Sequence, residues 1–316
     1  MILIIIGSIV GVIAALLAFL LIKSKISENK PYYPDNYYEA FKSECPLEQK
    51  FAGRGAYEVK KLEIDSEDKR IEKITLWYPA ELENSEKAWP LIMHVNPSNT
   101  RAKNIGVFLE RLASWGFIVV DNEDPQTGTG ETASLTLDSV LNQPKESVLY
   151  RKIDQDNMGI IGYSQGGPGA INAVTRYENG SMYKTLFTGS AAYARLSKNM
   201  GWEYDLSKLS IPCFMAAGTG KTDDSGKYGE KDFAGVSPLF SQEENYAAVT
   251  DEVMKVRGRI AGAEHEMIGI LSESYMTAWM LYQLTGDQEA SQVFLGEDAE
   301  ILKNPAWQDV ERNEVQ

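Results

Sequence analysis

The chain has 316 residues and a formal net charge of -14, with 43% hydrophobic and 24% charged residues. That composition is globular rather than disordered, and the length suits one large domain with a well-buried core. An acidic surface repels phosphate backbones, which argues against nucleic acid as a partner and favours neutral ligands.

Residues 1–22 are almost wholly apolar, interrupted by Ser8 and two glycines. At helical rise they match the ~30 Å hydrocarbon layer, so the segment is predicted to be a single-pass transmembrane helix contacting the lipid bilayer. No basic residue precedes the run, and Leu21-Ile22-Lys23-Ser24-Lys25 offers no small-x-small cleavage site, so it reads as an uncleaved anchor. Lys23, Lys25 and Lys30 on its C-terminal flank favour a cytoplasmic position for the domain that follows, by the positive-inside rule. Residues 23–50, polar and tyrosine-rich around Pro31-Tyr32-Tyr33-Pro34, are expected to be a tether and lead-in, and residues 51–316 the folded domain.

Residues 57–64 and 71–78 alternate apolar and polar side chains, which predicts a half-exposed antiparallel pair. Short, continuously apolar runs follow at 90–95, 117–121, 158–162, 184–188 and 211–217, and a last strand is read at 255–261. Such runs read as buried parallel strands alternating with helices. The clearest helices are predicted at 104–115, 165–177, 243–254 and 267–284. The sequence therefore predicts an α/β class, with a mostly parallel central sheet flanked by helices.

The most informative stretch is Met158 to Ala170, M-G-I-I-G-Y-S-Q-G-G-P-G-A. A G-x-S-x-G pentapeptide between a strand and a helix holds its serine on a strained, exposed turn, making Ser164 a candidate nucleophile. A serine hydroxyl needs a base, and the chain has two histidines. His94 lies inside an apolar strand, where a satisfied structural histidine is expected; His265 lies in a loop after the last strand and before a long helix, and is the candidate base. The base needs a carboxylate, which in this arrangement lies between serine and histidine in chain order. The loop after 211–217 offers Asp223, the first choice, and Asp224, the second. Two backbone N–H donors must receive the developing oxyanion. Gln165 supplies the first; because Pro97 has no N–H, Ser98 or Asn99 supplies the second.

Two glycine motifs point elsewhere. Gly218-Thr219-Gly220-Lys221-Thr222 ends like a phosphate-binding loop, but the first glycine of that motif falls on Met215 and no helix is expected after it. Gly128-Thr129-Gly130-Glu131-Thr132-Ala133 imitates a dinucleotide fingerprint but begins too far beyond its strand, and reads better as a loop at the pocket mouth. Cys45 and Cys213 form no C-x-x-C or Cys/His cluster; one bridge between them stays open. No cofactor and no metal are expected.

Residues 111–120, R-L-A-S-W-G-F-I-V-V, the serine segment at 158–167 and the Ala278-Trp279 helix followed by 290–295 carry a family resemblance. Over residues 51–307 the chain resembles the dienelactone-hydrolase-like branch of the α/β-hydrolases that contains bacterial cutinases and polyester hydrolases. The resemblance implies an α/β-hydrolase fold, Ser164, Asp223 and His265 as triad, Ser98 and Gln165 as oxyanion amides, and Tyr163 and Tyr193 as aromatic walls around an ester substrate. Family habit also favours an extracellular domain, against the flanking lysines. Departures limit the transfer: Pro97 stands where relatives usually have glycine, the Asp223 loop is long, and the cysteines cannot reproduce the relatives' C-terminal disulfide. Polymer hydrolysis therefore does not carry over; carboxylester hydrolysis does. A peptidase or acyltransferase on the same scaffold is the alternative, ahead of a noncatalytic membrane-held binding protein or a nucleotide binder.

Overall fold

The computed structural model describes residues 30–229 and 232–313. Nine strands are β1 (Val59–Asp65), β2 (Lys73–Pro79), β3 (Trp89–Val95), β4 (Ile118–Asn122), β5 (Ile153–Tyr163), β6 (Tyr183–Gly189), β7 (Cys213–Gly218), β8 (Lys255–Ile260) and β9 (Trp307–Arg312). They form one sheet in the order β1-β2-β4-β3-β5-β6-β7-β8-β9. The six strands from β4 to β8 in that order run parallel, while β1, β2 and β9 close the edges antiparallel. The reason is visible in the residues: β3, W-P-L-I-M-H-V, is buried along its whole length, whereas β1 alternates and sits at an edge.

The main helices are α1 (Pro46–Ala52), α2 (Gly106–Ala113), α3 (Glu131–Leu141), α4 (Gly166–Arg176), α5 (Ala194–Asn199), α6 (Leu239–Ala248) and α7 (Glu273–Thr285). Successive strand residues face opposite sides, so the core has two layers. On one side Ile92, Val119, Ile161 and Phe214 meet Phe51, Phe108 and Leu112 and the α7 residues Trp279 and Met280. On the other side Leu91, Met93, Ile160 and Met215 meet Leu137 of α3, Ala170 and Ile171 of α4 and Tyr246 of α6.

Several elements differ from expectation. Helix α3 and strand β9 were not legible: E-T-A-S-L-T-L-D-S-V-L is rich in serine and threonine, and its buried apolar stripe is only Ala133, Leu137 and Val140. Helix α6 starts after Pro238, four residues before the expected start, and ends at Ala248. The helix expected at 267–284 is broken: Ser272 Oγ donates to the Ile268 carbonyl at 2.7 Å, and α7 begins at Glu273. Cys45 and Cys213 are both free, so the bridge left open by the sequence is not formed. The expected transmembrane segment lies outside the described residues, and no described helix is long and apolar enough to cross a membrane.

The lead-in needs the largest correction. From residue 30 onward the segment 23–50 is packed onto the sheet's helical layer rather than acting as a loose tether. The Tyr32 amide donates to the Asn104 carbonyl at 2.8 Å, and Glu300 accepts from the Leu47 and Glu48 amides at the start of α1. Buried Tyr37 donates its hydroxyl to Glu273 on α7. Glu273 in turn pairs with fully buried Arg111 of α2, Nη1 to Oε1 at 2.8 Å, and Arg111 donates to the carbonyls of Phe51 and Ala52. Burial pushes the Glu273 carboxyl up to about 7 against the pull of Arg111 and Tyr37. One buried guanidinium thus ties α1, α2, α7 and the lead-in together. Removing one partner of a buried ion pair leaves the other uncompensated, so Arg111→Ala is expected to cost about 3–5 kcal/mol of stability, read as a lowered urea midpoint. A loss under about 1 kcal/mol would show that the cluster holds nothing.

Candidate active site

Strand β5 ends at Tyr163, α4 begins at Gly166, and the turn between them carries Ser164 at φ 56°, a left-handed conformation that costs a non-glycine residue of order 1–3 kcal/mol. The turn closes because Gly162 and Gly166 have no Cβ. A Cβ at Gly162 would lie 2.0 Å from the Gly166 carbonyl oxygen, and one at Gly166 2.0 Å from that of Val95. The Ser164 amide is held by the Gly189 carbonyl at 2.9 Å.

Ser164, His265 and Asp223 meet in one hydrogen-bonded line, although 101 residues separate the first pair. His265 Nε2 lies 2.9 Å from Ser164 Oγ, and His265 Nδ1 lies 2.7 Å from Asp223 Oδ1. Asp223 is fully buried, and its other oxygen accepts the Gly218 amide at 2.7 Å and the Ser190 hydroxyl. With Oδ2 occupied by donors, Oδ1 is left to accept Nδ1–H, which directs the Nε2 lone pair at the serine. Asp224, the second-choice acid, turns the other way: it pairs with Arg259 at 2.7 Å and accepts from Tyr228 at 2.5 Å and the Leu239 amide at 3.2 Å. Burial would raise its carboxyl, but these donors hold it below the ordinary aspartate value.

The stretch that resembles a phosphate loop clamps the histidine loop instead. Glu264 accepts from the Thr222 amide and hydroxyl at 2.8 and 2.5 Å, the Thr222 oxygen accepts the His265 amide at 2.8 Å, and Gly220 N–H donates to Ala263. The Gly128 to Ala133 motif opens α3 rather than lining the pocket mouth; Gly128 abuts Trp202, and Gly130 lies against α4.

A cavity of about 430 Å³ opens above the serine, with Ser98, Ser164, Ser190 and His265 at its polar end. Its walls are mostly apolar and aromatic: Ile105 and Phe108 from the α2 region, Tyr163, Ile268, and Tyr32 and Tyr33 from the lead-in. Pro97 and Ser98 follow β3 at the cavity rim. No hydrogen bond among the described residues uses the amide of Ser98 or of Gln165, whereas the Asn99 amide donates to the Pro125 carbonyl at 3.0 Å. Asn99 is therefore removed as an oxyanion donor, because its N–H is already committed. Tyr163 does line the cavity, but Tyr193 does not: it begins α5, packs edge-on against Phe240 at 5.8 Å and accepts from Arg195 at 3.2 Å.

Ser190, Tyr32 and Tyr33 were missed by sequence reading. Ser190, itself at φ 45°, sits one residue past β6, and the only local signal is a T-G-S-A-A run at the end of a buried strand. The two tyrosines carried no signal, because their place in the wall depends on contacts with segments more than 60 residues away. Among the described residues no group of three or more His, Cys, Asp or Glu side chains could hold a metal ion. No protein-family model and no curated protein matches the chain.

Proposed function

We propose that this protein is a serine hydrolase of carboxylic esters, built on an α/β-hydrolase fold and similar to the dienelactone-hydrolase-like, cutinase-containing branch. The observation that carries the reading is the line Ser164 Oγ, His265 Nε2 and Nδ1, Asp223 Oδ1, with a strained serine at the floor of an apolar cavity. The sheet order adds support, since ligands of open α/β sheets bind beyond the carboxyl ends of the strands, where the serine, the aspartate loop and the histidine loop emerge.

In the proposed mechanism His265 Nε2 takes the hydroxyl proton as Ser164 Oγ attacks the ester carbonyl. The oxyanion points at the amides of Ser98 and Gln165, each such donor being worth roughly 3 kcal/mol of barrier. His265 then returns the proton to the departing alkoxide, leaving an acyl-serine. Water, deprotonated by the same nitrogen, releases the acid and regenerates the hydroxyl. Asp223 Oδ1 accepts from His265 Nδ1 throughout and steadies the imidazolium. The apolar walls suit a hydrocarbon portion of the substrate, and residues 1–22 would hold the domain at a bilayer; a topology reporter fused at Gln316 reads which side.

The test is labelling of the full chain with a fluorophosphonate probe, followed by peptide mapping. Modification at Ser164, with hydrolysis of short p-nitrophenyl esters, is the expected result. An unlabelled serine in folded protein would sink the proposal. Amide substrates and competing alcohols in the same assay separate an esterase from the peptidase and acyltransferase alternatives.

A further inference from the structure

A second histidine–carboxylate pair faces the same cavity. His94 of β3 lines it while being only 2% exposed, and its Nδ1 lies 2.9 Å from Oδ2 of Asp121 on β4, which is wholly buried. The other Asp121 oxygen, Oδ1, accepts the Asn122 amide at 2.6 Å. As at Asp223, one carboxylate oxygen is committed to a backbone donor and the other accepts Nδ1–H. That leaves the His94 Nε2 lone pair, which makes no hydrogen bond among the described residues, as an acceptor in an apolar setting formed by Phe108 and Tyr163, whose rings lie 6.1 Å from the imidazole.

A buried carboxylate is costly to keep in a strand that apolar residues would fill as well. A purely structural His94 would be expected to satisfy both ring nitrogens.

We propose that His94, held by Asp121, is a specificity subsite that accepts a hydrogen bond from a hydroxyl group on the chain seated in the cavity. The ligand class is a hydroxylated, otherwise hydrocarbon ester. This deepens the ester-hydrolase reading and rests on it only for which end of the ligand meets Ser164.

Binding without turnover tests it. In the full chain carrying Ser164→Ala, calorimetric affinities are compared for methyl hexanoate, its hydroxyl derivatives at C2, C3 or C5, and the matching ketones. At least one hydroxylated ester is expected to bind about tenfold more tightly than the plain ester and than its ketone, the size of one well-made hydrogen bond in a dry site. Adding His94→Leu is expected to abolish that preference. Adding Asp121→Asn keeps the shape but reverses the chemistry. Its carbonyl oxygen must stay on the Asn122 amide, so its NH₂ faces Nδ1 and moves the ring proton to Nε2. The ketone is then expected to gain on the hydroxyl. Equal binding of all the esters, or a ketone preference without Asp121→Asn, overturns the subsite even if Ser164 is labelled. A hydroxyl preference with an unlabelled Ser164 would instead leave the subsite standing and remove the hydrolase. If His94→Leu does not fold, the Asp121→Asn reversal decides alone.

Discussion

A Ser164→Ala variant is expected to lose about 10⁶-fold in kcat on a short p-nitrophenyl ester and to take up no fluorophosphonate. The loss is large because Oγ is the only nucleophile in the proposed mechanism, and His265 Nε2, 2.9 Å away, meets no other hydroxyl among the described residues. A residual rate above water is expected from the two oxyanion amides and the cavity, which alanine leaves in place. Alanine also suits the turn poorly, since φ at this position is 56°. A melting temperature measured beside the rate separates a lost nucleophile from a lost fold. Turnover within tenfold of the unsubstituted protein would place the chemistry elsewhere.

Asp223→Asn is expected to lower kcat about 10⁴-fold with little change in the fold, and Asp224→Asn to leave it within about tenfold. The Gly218 amide and the Ser190 hydroxyl both donate to Asp223 Oδ2, so an asparagine must keep its carbonyl oxygen there. Its NH₂ group then faces His265 Nδ1, which becomes the acceptor, and the ring proton moves to Nε2, where it blocks proton abstraction from Ser164. Asp224 faces Arg259 and Tyr228, so its substitution perturbs a largely buried ion pair that does not touch the imidazole. Parallel kcat and pH–rate measurements on the two variants decide it; equal losses would mean that the adjacent carboxylates act as one unit.

Much of this site was legible in the residues. The serine between two glycines after an apolar run is a local pattern, and its strain and close approaches are local as well, so Ser164, Gly162 and Gly166 could be read directly. His265 followed because only two histidines exist and the other lies mid-strand. The parallel strands β3 to β7 were legible because burial on both faces favours apolar runs over polar alternation. Less visible were α3, whose apolar stripe is thin, and β9, a short edge strand with only a partial alternation.

By itself, then, the sequence determined the α/β class, the serine turn, the candidate base and the two adjacent candidates for its acid, all through patterns a few residues long or by elimination. Only the tertiary structure decided between Asp223 and Asp224, since neighbouring side chains point apart and nothing local says which one meets a histidine 42 residues on. It also withdrew Asn99, whose amide is spent on Pro125, and replaced Tyr193 with Tyr32 and Tyr33 in the cavity wall. It turned His94 from a quiet strand residue into half of a buried dyad with Asp121. Each of these depends on which atom finds a partner across a long sequence gap. Hydrogen-bond commitments of that kind are settled when the sheet and its loops close, and short-range pattern carries no record of them.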